Sequence, residues 1–308
     1  MKRILVSAGE AAGANLRLLS AAALKNPSVK FDLVSDEKAT NDYCRETKTI
    51  LPKNISMIQT ERRNFKITPG RPDRESGLLA YESLKRSVDI IEKKKKDYLG
   101  LLTLPVIKSS VSLYCRGFRG HTEYLEKRDG REAAMLLYSK KISVAPITTH
   151  ISVSDVESMI NYQNIYPKIA AVQEFYRKRL KKTPKFAILC LNPHCSDRGL
   201  LGKADEKILK IAEKLKKDFD VSSPLCADSA FTEENMKKYD VFFGMYHDQV
   251  LIPFKMLSFN NGVNVTCGLS YLRVSPDHGP ACDKVFSNDL SAGSTLESVK
   301  LLLKTAKK

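Results

Sequence analysis

The chain has 308 residues, 43% of them hydrophobic and 28% charged, which is enough to bury a sizeable core in one large or two medium domains and excludes a peptide or disordered tail. Its formal net charge of +16 sets up a field that draws in anions, whether a phosphorylated metabolite, a dinucleotide or a nucleic acid. No apolar run reaches the roughly 20 residues of a membrane-spanning helix, since Leu16 to Leu24 is interrupted by Arg17 and Ser20, so a soluble protein is expected.

Lys2-Arg3 would suit a signal peptide, but Gly9 and Glu10 end the apolar stretch too early, and a cytoplasmic protein is expected. Ile4 to Ser7 reads as a strand, Gly9-Glu10-Ala11-Ala12-Gly13 as a glycine turn, and the alanine- and leucine-rich stretch to about Leu24 as a helix. Phe31 to Ser35, after the Asn26-Pro27 break, gives a second strand and a βαβ-like opening. Thr68-Pro69-Gly70-Arg71-Pro72 is a surface loop. It precedes a helix from Ser76 to about Lys95 and a buried strand from Tyr98 to Leu104, closed by Pro105.

Further strands are expected at Lys141 to Ile147, Phe186 to Leu191, Val241 to Gly244 and Gly262 to Cys267. Helices are expected between them at Val153 to Asn161, Ile165 to Leu180 and Asp205 to Asp218, the last with Ile208, Leu209, Ile211, Ala212 and Leu215 on one apolar face. This alternation argues an α/β fold with a largely parallel sheet. The basic runs Lys93 to Lys96 and Arg177 to Lys182 continue helical stretches and read as solvated helix ends. Neither is interleaved with aromatics or part of a recognisable module, so nucleic acid is not the expected partner. Seven scattered cysteines without a C-x-x-C pair are expected to be reduced thiols.

The five histidines carry more information, because each sits in a short polar motif ending an apolar run: Gly120-His121-Thr122-Glu123, Thr148-Thr149-His150, Asn192-Pro193-His194, Met245-Tyr246-His247-Asp248-Gln249 and Asp277-His278-Gly279. In an open α/β sheet ligands bind beyond the carboxyl ends of the strands, where such residues converge. His150, His194 and His247 follow the cleanest strands, and three neutral imidazoles with an open position make a Lewis-acid site for zinc or a similar divalent ion. Taken singly, each imidazole is equally readable as a strand-end cap on a backbone carbonyl. Downstream, Lys255, Asn264 and Arg273 are polar residues in or beside apolar segments, and Lys255 and Arg273 suit a phosphate. Asp228, Asp248 and Asp277 are candidates to orient imidazoles or to cap turns.

Together, Gly9, the Ser76-Gly77 helix start, Leu102-Thr103-Leu104-Pro105, the five histidine motifs and Gly262-Val263-Asn264-Val265-Thr266 resemble the 4-hydroxythreonine-4-phosphate dehydrogenase family of pyridoxal phosphate biosynthesis over nearly the whole chain. The resemblance implies a fold like the isocitrate and isopropylmalate dehydrogenases, with two interleaved α/β/α domains and a cleft between them. The division it suggests is residues 1–115 with 275–308 as one domain and 116–274 as the other. It also implies a homodimer with active sites shared between subunits.

By the same resemblance, His150, His194 and His247 bind a divalent metal (zinc, magnesium or cobalt), the third from the partner subunit, and His121, Thr122, Lys255, Asn264 and Arg273 hold a phosphorylated substrate. Gly9, Glu10, Gly13, His278 and Gly279 match cofactor-side positions for NAD or NADP. Lys108, in a segment resembling the family's Pro-x-x-Lys, and Asp248 are candidate catalytic residues, Lys108 for proton transfer. The implied reaction is oxidation of 4-phosphohydroxy-threonine to a 3-oxo acid that loses carbon dioxide.

The departures from the family cluster on the cofactor side. Ala11, Ala14, Asn15, Leu16 and Arg17 stand where the family has Pro, Ile, Gly, Pro and an acid. Ser196 and Arg198 replace two glycines, and Pro280 and Lys284-Val285-Phe286 alter the loop after His278. Two other readings therefore stay open: a dehydrogenase of another four-carbon hydroxy acid or its phosphate, and a homologue with lost turnover.

Overall fold

The structure is a computed structural model that describes residues 2–305, the side chain of Arg198 excepted. The chain forms two compact units, one running to Asp129 and resuming at Leu269, the other covering Gly130–Gly268. The expected boundaries at 115 and 274 move to 129 and 268. Two local reasons account for this: α5 (His121–Asp129) adds Leu125 to the core of the first unit, and the main-chain N–H and hydroxyl of Ser270 both bond the Asp129 carboxylate.

The first unit begins with β1 (Lys2–Ser7), α1 (Asn15–Leu24), β2 (Val29–Ser35), α2 (Glu37–Thr47), β3 (Ile55–Gln59), α3 (Arg74–Lys94), β4 (Leu101–Thr103) and α4 (Lys108–Ser112), ahead of α5. Ile4, Leu5 and Val6 are all fully buried, as in a parallel strand covered on both faces. Asp36 starts α2 by accepting the Ala39 N–H, and α3 opens on a capping box between Asp73 and Ser76. On its inner face α3 buries Leu84, Val88 and Ile91 in one cluster with Leu5, Val34 and Leu101.

The second unit contains β5 (Ala134–Tyr138), β6 (Ser143–Pro146), α6 (Val156–Met159), α7 (Tyr162–Phe175), β7 (Phe186–Ile188), α8 (Ala204–Leu215), α9 (Glu233–Lys238), β8 (Val241–Gly244), α10 (His247–Ser258) and β9 (Val263–Cys267). The chain then returns to the first unit for β10 (Arg273–Pro276) and α11 (Gly293–Thr305).

In the first unit the strands run parallel in the order β3-β2-β1-β4-β10. The carboxyl ends of β1, β4 and β10 therefore lie side by side, and the loops from Ala8, Leu104 and Asp277 leave from one edge. In the second unit the order is β9-β5-β6-β8-β7, with β5 antiparallel to both neighbours and β6, β8 and β7 mutually parallel. The α/β class expected from the sequence is the one observed. Locally, β4 is shorter than the predicted strand, the predicted helix to Leu180 ends in a π turn from Tyr176, and Leu209 faces solvent while Ile208, Ile211, Ala212 and Leu215 are buried. Among the described residues no helix is long and apolar enough to cross a membrane.

Candidate active site

The first unit brings three of the predicted residues, Arg273, His121 and Lys108, close together. Arg273, on β10, is 2% exposed, and its Nε donates to the Thr103 hydroxyl of neighbouring β4 at 2.9 Å. Burial pushes its pKa down to about 10, against the pull of Tyr271 and Glu123. His121 opens α5, and burial, followed by the charges of Arg273 and Lys108, lowers its pKa well below the usual 6.5, so the ring is neutral at pH 7. His121 Nε2 is buried with no hydrogen-bond partner among the described residues. A Cβ built on Gly120 would come within 3.9 Å of Lys108 Nζ and 3.0 Å of Glu123 Oε2, so these two side chains close the same corner. A buried guanidinium, an ammonium and an unpartnered imidazole nitrogen make a cradle for a phosphate or carboxylate. Thr122, the second residue of α5, is half-buried beside them in sequence. Nothing in the sequence marks Thr103, whose contact with Arg273 depends on β4 pairing with β10.

The cofactor-side loops of this unit meet. Gly9 has φ +64°, and a Cβ there would overlap the carbonyl oxygens of Leu104 and Pro105. A Cβ on Gly13 would overlap the Pro280 oxygen, which accepts the Ala14 N–H at 2.8 Å. Backbone crowding thus accounts for both glycines. Glu10 is fully buried, accepts the Ala12 N–H, and has its pKa raised by burial. His278 Nδ1 lies 2.7 Å from the Gly279 oxygen and Nε2 3.3 Å from the Thr295 hydroxyl, while Gly279 has open space where a Cβ would be.

The substitutions on this side are knitted into the same contact. The Asn15 amide donates to the carbonyls of Ala8, Glu10 and Pro105 at 3.3, 3.1 and 2.9 Å. Arg17 Nη1 donates to those of Val285 and Ser287 at 2.6 and 2.8 Å. The Asn15 and Arg17 side chains thus bind the backbone of loops distant in the chain.

In the second unit the three predicted metal residues follow three adjacent parallel strands. Ile147 N–H bonds Gly244 O at 2.8 Å and the Thr148 hydroxyl bonds Met245 O at 2.7 Å, tying the end of β6 to the end of β8. Gln249 ties β8 to β7, accepting the Met245 N–H and donating to Cys190 O, both at 2.7 Å. The rings of His150 and His247 are accordingly 5.9 Å apart. His247 Nδ1 lies 2.6 Å from Asp248 Oδ1, which orients the ring and leaves Nε2 for a ligand. Two such imidazoles suit a divalent ion by donor chemistry. Among the described residues, however, no group of three or more His, Cys, Asp or Glu is arranged to hold a metal, and the pair that meets is His150 with His247 of one chain. Asp228 is exposed, and the Asp277 N–H is bonded to Ser294 Oγ.

Elsewhere in this unit, Asn264 Oδ1 on β9 is buried without a hydrogen-bond partner among the described residues, and Lys255 Nζ on α10 lies 5.5 Å from the Phe259 ring centre. His194 is exposed in a turn where His194, Cys195, Ser196 and Asp197 all have φ between 42° and 62°. Each non-glycine residue in that region costs of order 1–2 kcal/mol.

The turn is held by Asp205, which accepts the N–H groups of Leu191 and Asn192 and, at 2.5 Å, the hydroxyl of buried Ser196. It is also held covalently. The expectation of reduced thiols throughout is corrected by a disulfide between Cys190 and Cys195, whose Cα atoms lie 5.2 Å apart because the left-handed turn folds the chain back on the end of β7.

Parallel strands with a buried guanidinium and imidazole in one unit and paired imidazoles after the strands of the other define an α/β protein of the kind that binds ligands beyond its strands. The family model described as "Pyridoxal phosphate biosynthetic protein PdxA" matches residues 7–302. The chain is 36% identical over 324 aligned residues to a 4-hydroxythreonine-4-phosphate dehydrogenase of Sulfurihydrogenibium sp. (strain YO3AOP1), covering 100% of both. It is 32% identical over 240 residues to the D-threonate 4-phosphate dehydrogenase of Salmonella typhimurium, covering 77% of this chain and 73% of the relative. The crystal structure of a 4-hydroxythreonine-4-phosphate dehydrogenase from Klebsiella pneumoniae superposes with a TM-score of 0.82 at 26% identity, covering 100% of this chain and 98% of that one. The chain belongs to the PdxA family and is an oxidoreductase.

Proposed function

We propose that the protein is a metal-dependent, NAD- or NADP-linked dehydrogenase that oxidises 4-phosphohydroxy-threonine to the 3-oxo acid, which then decarboxylates, in pyridoxal phosphate biosynthesis. The observation that carries this reading is the cradle of the first unit, where Arg273 is buried beside a neutral His121 whose Nε2 lacks a partner among the described residues. A phosphate dianion would accept from the guanidinium and give the His121 Nε2–H an acceptor. Thr122 adds a hydroxyl; in the second unit, Lys255 is a further candidate to bind the substrate. Asn264 Oδ1 is a buried acceptor suited to a substrate hydroxyl or ammonium.

When bound, a divalent ion (zinc, magnesium or cobalt) supplies a Lewis acid for the alcohol, and the nicotinamide a hydride acceptor. His150, His194 and His247 are the residues to hold the ion, with Asp248 fixing the His247 ring, and the set is completed in a homodimer. Ile252 and Met256 on α10, with Phe259 just beyond it, are exposed at spacings of four and three, an apolar stripe that a second copy would cover. His278 and Gly279 present the open edge of their loop to the dinucleotide, supported from behind by the Gly9 to Gly13 turn. Lys108 is the candidate to move the proton of the substrate alcohol. This reading locates the enzyme in the cytoplasm.

A second reading is favoured by one relative's name: the oxidised acid is D-threonate 4-phosphate, which the same cradle would hold. A substrate panel tests both. Turnover of either phosphorylated acid, with its unphosphorylated counterpart at least tenfold poorer in kcat/KM, supports the phosphate cradle. Equal use of the unphosphorylated acids contradicts it.

A further inference from the structure

Three cysteines of the second unit lie together without a role in the proposed dehydrogenase. Cys190 ends the β7 segment and is fully buried; Cys195 lies within the left-handed turn; Cys226 is half-buried on a segment that runs parallel to β7. That segment is joined to β7 by a parallel bridge between Leu189 and Leu225, with Leu225 N–H donating to Ile188 O and Cys190 N–H to Leu225 O, each at 2.8 Å. Cys190 and Cys226 are thus presented from adjacent backbones to the same third sulfur. Cys195 Sγ is bonded to Cys190 and lies 3.3 Å from Cys226 Sγ, inside van der Waals contact for two sulfurs.

We propose that Cys190, Cys195 and Cys226 form an internal thiol–disulfide exchange site that sets where the turn carrying His194 is anchored. In the exchange the Cys226 thiol gives its proton to solvent and its thiolate attacks Cys195 Sγ. The Cys195–Cys226 bond forms as the Cys190–Cys195 bond breaks, and Cys190 leaves as a thiolate that takes up a proton. One disulfide and one thiol are present before and after, so no oxidant or reductant is consumed.

The exchange alters the turn because its other holds are not covalent. Asp205 fixes the backbone at Leu191 and Asn192 and the Ser196 hydroxyl, while Gln249 donates to Cys190 O. With Cys195 bonded to Cys190, the bridge closes a loop over residues 191–194 on the end of β7. With Cys195 bonded to Cys226, that loop is open and His194 is tethered to the neighbouring segment.

The test is disulfide mapping of the full-length protein, independent of any dehydrogenase assay. Wild type is incubated at pH 8 without reductant, quenched with acid, alkylated with N-ethylmaleimide and digested unreduced for mass spectrometry. Two linked species are expected, Cys190–Cys195 with the label on Cys226 and Cys195–Cys226 with the label on Cys190. Cys190→Ser, oxidised with diamide, should carry only the Cys195–Cys226 link, and Cys226→Ser only Cys190–Cys195. The proposal is overturned if wild type yields no Cys195–Cys226 peptide, whether because Cys226 is always labelled or because all three cysteines are. A folded Cys190→Ser with both remaining thiols alkylated after diamide overturns it equally.

Discussion

In the first unit the predicted groups beside β10 and α5 are buried, with Arg273 at 2% exposure and the His121 Nε2 sealed from solvent, whereas in the second His150 and His194 are exposed and His247 is half-buried. In the first unit burial shows in the protonation equilibria. Removing a guanidinium from water pushes Arg273 down to about 10 and His121 below its usual range, both by desolvation first. The imidazoles of the second unit keep their solvation and are aimed by strand register and by a strained, covalently tied turn.

If that contrast holds, the largest effect belongs to the open site. His194→Ala should lose bound metal, measured by plasma emission, and lose turnover by more than about 100-fold, since losing only an orienting partner costs 10–100-fold. The variant should remain folded, and stoichiometric metal in it would remove His194 from the ligand set. Asp248→Asn, touching the orienting partner alone, should weaken metal by about 10–100-fold in a competition titration with a chelator.

Arg273→Ala probes the buried side. It should weaken the phosphorylated substrate by about 1.5–3 kcal/mol, or roughly 10–150-fold in Kd, and leave metal content unchanged. Unchanged saturation would make the guanidinium structural.

Asn15→Gly restores the glycine of the family and removes three hydrogen bonds, so it should cost about 1–3 kcal/mol in denaturant unfolding rather than stabilise. The smallest effect is a pH dependence. With the folded His121 pKa below 6.5, the unfolded chain binds more protons beneath that pH, and stability falls as acid is added from 6.5 towards the folded value. His121→Gln should flatten that part of the curve; parallel curves would place the loss elsewhere.

Much of this architecture was legible because apolar runs bounded by glycine or polar motifs mark parallel strands, as at Ile4 to Ser7 and Val241 to Gly244. The histidines were legible for a related reason: polar residues following such runs sit at strand ends. β10 was not, since a strand that begins with arginine breaks the apolar rule at the position where the buried cation is used. α2 buries only Ala39, Thr40 and Tyr43, too few apolar positions to carry a period. The left-handed turn is hidden because positions 194–197 contain no glycine, and the Cys190–Cys195 bridge is hidden with it, since only that turn brings the two together. Nor does the sequence announce that Asn15 and Arg17 replace glycine and acid by bonding the backbone of distant loops. Their partners, Pro105, Val285 and Ser287, are far along the chain.

The central claim is most directly tested by following NADH formation at its absorbance band, with purified protein, 4-phosphohydroxy-threonine, NAD and a divalent metal. The account predicts turnover that a chelator abolishes and added metal restores. Absence of turnover with metal bound, with NADP and with D-threonate 4-phosphate as well, would contradict it.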